Sequence, residues 1–133
     1  MTGVDPAGQK LWEFQAKSVQ MDREKTMVTF TEIVGQLYQR GVPQFAFQAP
    51  RGILFLASRN VELTGGVSGR TADGRRMLRA PQVRWDAARQ RLTGSGGIHL
   101  IEPGMSVTAE TVVTDVALQQ TTFVGNIKVQ VTR

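Results

Sequence analysis

The chain of 133 residues has no cysteine and a single histidine, and these shortages exclude several kinds of site. Without cysteine there is no disulfide, no thiolate nucleophile and no thiolate metal ligand. The longest apolar runs, such as residues 53–57, are far shorter than the roughly 18 residues that a transmembrane helix needs. Residues 1–10 also lack the apolar segment of a signal peptide. We therefore expect this sequence neither to span a membrane nor to direct its own export.

Positive charge is in excess, with a net charge of +5, and it is concentrated in one stretch. Two interpretations are open: an anion site for nucleic acid or lipid phosphates, or solvated strand faces. The stretch lacks the interleaved aromatic residues on which bases stack, so we predict no nucleic-acid partner. Only Asp73 and Asp86 offset the arginines there, which are Arg70, Arg75, Arg76, Arg79, Arg84, Arg89 and Arg91.

Alternation of apolar and polar residues dominates the chain and predicts β-strands. Near the start, Trp12, Phe14 and Ala16 alternate with polar residues, as in a half-buried strand. Similar runs recur at about 8–12-residue spacing, which is typical of a sandwich, barrel or roll. The best helix candidate, residues 30–39, is rich in β-branched residues and is predicted to be a strand. We predict an all-β fold, an antiparallel β-jellyroll or β-roll of repeated strand units with little or no helix.

Turns are predicted at glycine-containing segments between these runs. The segment Ala72-Asp73-Gly74 carries the Asp-Gly pair that tight hairpins favour. The glycine-rich segment 65–70 lacks the lysine and the following helix of a phosphate-binding loop, and we predict a hairpin turn there. A turn is also predicted at residues 94–97.

A repeated unit supports the strand prediction. The segment from Ala16 to Asp22 matches those from Ala80 to Asp86 and from Ala109 to Asp115, with Ala, Val and Asp at the same offsets. A weaker copy starts at Ala49. We predict that each Asp opens a turn by accepting hydrogen bonds from nearby backbone amides. A two-stranded unit cannot bury its own inner face, so the copies must stack around a shared apolar interior.

No residue pattern points to catalysis. His99 lies between Ile98 and Leu100, so strand alternation turns it outward, and nothing in the sequence supplies partners for a triad or a metal site. A jellyroll enzyme of the cupin type would need several metal-binding histidines. We therefore predict a protein that is not an enzyme, with no catalytic residues, no metal site and no cofactor.

The alternation also predicts which residues face the interior, either as a closed core or in contact with a ligand. This inward set is Phe14, Phe47, Phe55, Leu63, Val83, Trp85, Leu100, Val107 and Phe123.

Three features together resemble the LptC family, the periplasmic, membrane-anchored component of lipopolysaccharide export. They are the Leu11–Ala16 start, the repeated units and the terminal segment Phe123–Ile127. The resemblance covers about residues 11–131 and implies a twisted β-jellyroll. We predict a single β-jellyroll domain over residues 11–133, preceded by a flexible segment of residues 1–10. The resemblance also implies that the inward set lines a groove for lipid acyl chains, and that successive jellyrolls join edge to edge.

The expected function is therefore non-enzymatic lipopolysaccharide transport. Expected partners are lipopolysaccharide, inner-membrane ABC transporter permeases and a periplasmic bridge protein of the same jellyroll type. The resemblance implies a periplasmic location and, in the full-length protein, an inner-membrane anchor absent from this chain; a soluble bridge-like member stays open. The alternative function is a structural β-roll or solenoid scaffold that assembles through its edge strands.

Overall fold

A computed structural model describes residues 1–132 and shows ten β-strands, with no helix among those residues. The predicted all-β fold is confirmed, and residues 30–39 lie within a strand. The strands are β1 (Thr2–Val4), β2 (Lys10–Met21), β3 (Met27–Gln39), β4 (Val42–Phe55), β5 (Val61–Thr71), β6 (Met77–Asp86), β7 (Arg91–Glu102), β8 (Met105–Thr114), β9 (Thr121–Val124) and β10 (Lys128–Val131).

The strands form one antiparallel sheet that follows the order of the chain from β1 to β8. Beyond β8, two short strands share its free side: β9 pairs with residues 111–114, and β10 pairs with residues 105–108. The described strands therefore form a path with two ends, β1 on one side and β9 with β10 on the other. Since strands twist in one sense, so long a sheet curls and brings parts of its inner face together.

The inner face carries one continuous apolar core. Burial alternates along most strands, as in β3, where Val28, Phe30, Ile33 and Leu37 are buried. All seven strands from β2 to β8 contribute buried residues to this cluster. Burial of apolar area on this scale is the main stabilising contribution to folding.

The repeat has a structural counterpart in a row of alternating small and branched residues across the inner face. Ile33 of β3 pairs with Ala16 on one side and Ala49 on the other. The pattern continues where Val67 pairs with Ala80 and Ile98 pairs with Ala109. Alternation of small and large side chains lets neighbouring strands interdigitate without voids. The stacked units predicted from the sequence therefore share one interior.

The predicted turns at residues 65–70 and 94–97 are wrong, because both segments lie inside long strands. Gly65 and Gly66 form a bulge in β5, where φ is +90° and +102° and the register with β4 and β6 shifts. Gly96 and Gly97 form the equivalent bulge in β7. An extra residue in a left-handed conformation needs glycine there and increases the local twist. These glycines bend strands and do not end them.

The aspartates of the repeat form turns, as predicted. The backbone N–H groups of Thr26 and Met27 donate to Asp22 Oδ1 at 2.6 and 3.0 Å. The equivalent oxygen of Asp86 accepts from the Arg89 N–H at 3.1 Å, and that of Asp115 accepts from the Gln119 N–H at 2.7 Å. Each carboxylate thus satisfies backbone donors where a strand ends.

The pKa values of two turn carboxylates, Asp22 and Asp73, are lowered, and this predicts that the fold loses stability in acid. The backbone N–H of Met27 and then the Thr26 hydroxyl hold the pKa of Asp22 below its ordinary value of 3.8. The Thr71 hydroxyl and then the Arg75 N–H lower the pKa of Asp73. A lowered folded-state pKa contributes stability above the unfolded pKa, and that contribution is lost as the pH falls through the folded value.

We therefore expect Asp22→Ala to lower the melting temperature at pH 7 and to lower it less at pH 3. Thermal unfolding followed by circular dichroism at both pH values measures this difference. Glu24→Ala, in the same turn, is the control. An equal effect of Asp22→Ala at both pH values would contradict the assigned role of the ionised carboxylate.

The first ten residues include strand β1, which pairs with β2 over Lys10–Glu13. Between the two strands, Asp5 Oδ1 accepts hydrogen bonds from the N–H groups of Ala7 and Gln9 at 2.9 and 2.8 Å. The flexibility of residues 1–10 stays a prediction, but the structure gives this segment a defined place at the edge of the sheet.

Candidate functional site

An aromatic cluster occupies the inner face of the N-terminal strands. The Trp12 and Phe14 rings are stacked at a centroid distance of 4.4 Å. Phe30 and Phe47 meet Phe14 edge-on at 5.8 and 5.6 Å. Gly35 makes room for two of these rings, since a Cβ there would lie 2.6 Å from both Phe14 and Phe47. This half of the interior is thus a dense aromatic surface.

Most of the residues predicted to face inward do so. Seven of the nine belong to the buried cluster, and Phe123 is partly buried against it. The buried ones are Phe14, Phe47, Leu63, Val83, Trp85, Leu100 and Val107. The structure therefore brings eight of the predicted residues to one apolar interior, which is packed in this conformation.

Phe55 is the exception, and its predicted inward direction is wrong. Its neighbour Leu54 is 2% exposed and takes the inward position, so Phe55 faces the other side of β4. There it is half-buried and lines an outer groove with Met27, Asn60 and Arg84. In a run of consecutive apolar residues, alternation alone does not fix which residues point inward.

Strand β2 has an open edge along its second half. β1 covers it only over Lys10–Glu13, and one further backbone pair joins Met1 to Phe14. Val19 and Met21 pair with the buried Phe30 and Val28 on the other side, so they belong to the inner face. They are nevertheless 54% and 47% exposed, because no strand within residues 1–132 covers them at this edge. The interior is therefore accessible to solvent here.

The opposite edge of the sheet is also apolar. The register of β10 with β8 places Ile127 opposite Ala109, so Ile127 continues the small-and-branched row. Ile127, Val129 and Val131 are 51%, 56% and 72% exposed. An exposed apolar edge strand is a template for pairing with another chain. In the sequence these three residues alternate with polar ones, a pattern that predicts a strand but no binding role.

The Trp12 side chain lies where β1 meets β2, in a position where the described residues offer its indole N–H no hydrogen-bond acceptor. Its Nε1 is buried and has no hydrogen-bond partner among the described residues. An unsatisfied buried donor costs about 1–3 kcal/mol. Gly3 of β1 packs against the indole so closely that any Cβ at position 3 would overlap the ring. The contact between β1 and the interior therefore requires glycine at position 3, and the unsatisfied indole N–H makes this contact less favourable.

The arginine-rich stretch lies on strand ends and outward faces. Arg76 Nε contacts Glu102 Oε2 at 3.0 Å, and Arg84 Nη2 contacts Glu62 Oε1 at 2.6 Å. The Arg76–Glu102 pair is part-buried, whereas the Arg84–Glu62 pair is exposed, and exposed pairs contribute little to stability. His99 is half-buried between the inward Ile98 and Leu100, as alternation predicts. It pairs across the sheet with Arg79 and Thr108, which belong to an outward polar row.

The geometry defines a class: an open β-jellyroll with an apolar interior and two apolar edges. A solved structure of the same fold is LptH from Pseudomonas aeruginosa, described as the LptA homologous periplasmic component of the conserved lipopolysaccharide transport device. The TM-score is 0.76 at 12% sequence identity, with 92% of this chain and 95% of that chain covered. No curated protein sequence matches the chain.

The family follows from the sequence itself. Residues 1–132 match the family described as "Lipopolysaccharide-assembly, LptC-related", and the chain belongs to that family. The resemblance noted from the sequence is therefore confirmed, and with it a role in lipopolysaccharide transport in the periplasm. Transport proteins of this kind are in general not enzymes. Within residues 1–132, no helix reaches the length and hydrophobicity needed to cross a bilayer.

Proposed function

We propose that this chain shields the acyl chains of lipopolysaccharide on its inner face and passes them to the next jellyroll of the transport path. The observation that supports this most directly is the position of the predicted groove residues. Eight of the nine lie on one inner face that runs the length of the sheet. Exposing one CH₂ group to water costs about 0.8 kcal/mol, so a multi-chain lipid needs a continuous apolar surface to move along.

The lipid must enter from an edge, since the interior is packed in this conformation. Phe14 and Val83 are each 1% exposed, so no acyl chain reaches either side chain without rearrangement. The most exposed apolar residues of the inner face lie at the edges: Val19 and Met21 at one, and Ile127, Val129 and Val131 at the other. We infer that acyl chains first meet these residues and then separate the two halves of the inner face.

The two edges suit joining to other jellyrolls. The partners joined at these edges would include an inner-membrane ABC transporter component and a periplasmic bridge protein of the same jellyroll type. Each edge combines free backbone hydrogen-bonding groups with exposed apolar side chains, which is what β-augmentation requires. Joined sheets would extend the apolar interior from one protein to the next. In the full-length protein an inner-membrane anchor would hold the chain beside the transporter.

Site-specific photo-crosslinking in cells tests lipid contact. A photoreactive amino acid at Phe47 or Trp85 is expected to capture lipopolysaccharide during active transport. The matched controls are the outward neighbours Gln48 and Arg84, which are expected to give several-fold lower yields. Protein folding and assembly with the transporter are checked in the same cells. Failure at every inward position, in protein that is folded and assembled, would favour the scaffold function instead.

A further inference from the structure

The small-and-branched row on the inner face is incomplete at both ends. From β2 to β8 the small residue is always alanine and its neighbour is isoleucine or valine. The row ends at Ile127, which is 51% exposed, and none of the described strands lies beyond it. It begins at Ala16, which is half-buried and lies beyond the end of the pairing with β1. The end at Ile127 therefore lacks a neighbouring alanine, and the end at Ala16 lacks a neighbouring branched residue.

The internal strand pairs define how two such ends would fit. Where β5 meets β6, Val67 pairs with Ala80 and Leu63 pairs with Val83 across the glycine bulge. The terminal segment has the same layout, with Ile127 and Phe123 on either side of Gly125, whose φ is +82°. If the terminal segment of a second copy of the chain pairs with β2 in this register, its Ile127 lies opposite Ala16 and its Phe123 lies opposite Val19.

The same register reveals a conflict with β1. Counting along the strands places Val129 opposite Phe14 and Val131 opposite Trp12. In the isolated chain, these two positions are held by Met1 and Gly3. We infer that β1 is an internal substitute for the last strand of a second copy of this chain, and that docking of that copy in the repeat-defined register requires the release of β1. This inference rests on the proposed edge-to-edge assembly. It adds the register in which the edges pair and identifies β1 as the strand that competes with the partner.

Several contacts indicate that β1 is easily released. It has only three residues, and its register with β2 shifts between Gly3 and Val4. Val4 is 47% exposed, and its carbonyl accepts a long 3.3 Å hydrogen bond from Arg59. The indole of Trp12 beneath it lacks a hydrogen-bond partner among the described residues. A longer strand with valines at the two inner-face positions would bury more apolar surface than β1 does.

A disulfide clamp tests the inference in the full chain. Because the natural sequence has no cysteine, the variant Thr2→Cys/Glu13→Cys contains one possible disulfide. Thr2 and Glu13 pair directly, next to a hydrogen-bonded pair, so their Cα atoms are expected about 4.5 Å apart. That separation is within the range that a disulfide spans. The opposite variant, Gly3→Val, expels β1 by overlap with Trp12.

The probe is a dye-labelled peptide of residues 121–132, titrated against each protein and followed by fluorescence anisotropy. We expect the oxidised clamp to bind about tenfold more weakly than the same protein after reduction, since it loses the backbone pairs at residues 12–14. Gly3→Val is expected to bind more tightly than the natural chain. A photoreactive residue at position 19 is expected to capture the peptide at Phe123, which reports the register.

The outcomes separate this inference from the proposed function. Equal affinity of the oxidised, reduced and Gly3→Val proteins would overturn the role of β1 and leave edge-to-edge joining intact. Capture at a residue other than Phe123 would overturn the register. If no form binds the peptide while thermal unfolding shows all of them folded, the inference and the proposed joining of edges both fail. The lipid photo-crosslinking experiment is independent of all three results.

Discussion

Phe14→Ala is expected to lower the free energy of unfolding by about 3–5 kcal/mol, the range measured for large aromatic deletions in cores. Phe14 is 1% exposed and touches three other aromatic rings, namely Trp12, Phe30 and Phe47. The neighbouring strands are fixed by long backbone ladders and cannot close the space left by the ring. Chemical denaturation at pH 7, followed by circular dichroism, measures the loss.

Two variants control for this result. Phe14→Leu keeps most of the volume and is expected to cost much less than Phe14→Ala. Phe55→Ala removes the same side chain from a half-buried position outside the core cluster, so its cost should be well below that of Phe14→Ala. Equal losses for Phe14→Ala and Phe55→Ala would contradict the assignment of Phe14 to the centre of the aromatic cluster.

Features that depend on neighbours in the chain could be predicted from the sequence. The turn role of Asp22 is one example, since the amides it binds are four and five residues away. The inward direction of Phe14 is another, because strict alternation around it leaves one choice of face. The repeat extended these local rules over the whole chain, and so the fold class followed.

Features that depend on a distant strand could not be predicted. Gly65 and Gly66 look like a hairpin turn locally, but their strand continues because β4 and β6 pair with it on both sides. Phe55 and Leu54 are both apolar, and only the register of β4 decides which one is buried. The open edges also depend on distant strands and could not be predicted. Alternation at Ile127 and Val129 predicts a strand, but it does not show that one side of that strand is unpaired.

Gly69 shows what such a distant neighbour requires. It lies within β5, in the glycine-rich segment predicted as a turn, and the buried Phe45 ring packs over it from β4. A Cβ on Gly69 would overlap that ring. The φ of Gly69 is not in the left-handed region, so alanine is excluded by space and not by backbone conformation.

We therefore expect Gly69→Ala to lower the free energy of unfolding by about 1–3 kcal/mol, as overpacked core variants do. The neighbouring variant Ser68→Ala, on the outward face, should change it by no more than about 0.5 kcal/mol. Both are measured by denaturant unfolding.

A double-mutant cycle with Phe45→Leu identifies the cause. If the ring is what alanine meets, the smaller leucine relieves the overlap, and Gly69→Ala should cost less in the Phe45→Leu background. The expected coupling is at least about 0.5 kcal/mol, as for residues in direct contact. Additive losses would mean that Gly69 is needed for another reason. A positive coupling would establish that Gly69 makes room for the Phe45 ring. The ring would then pack directly against the backbone of β5, with no space left for a side chain at position 69.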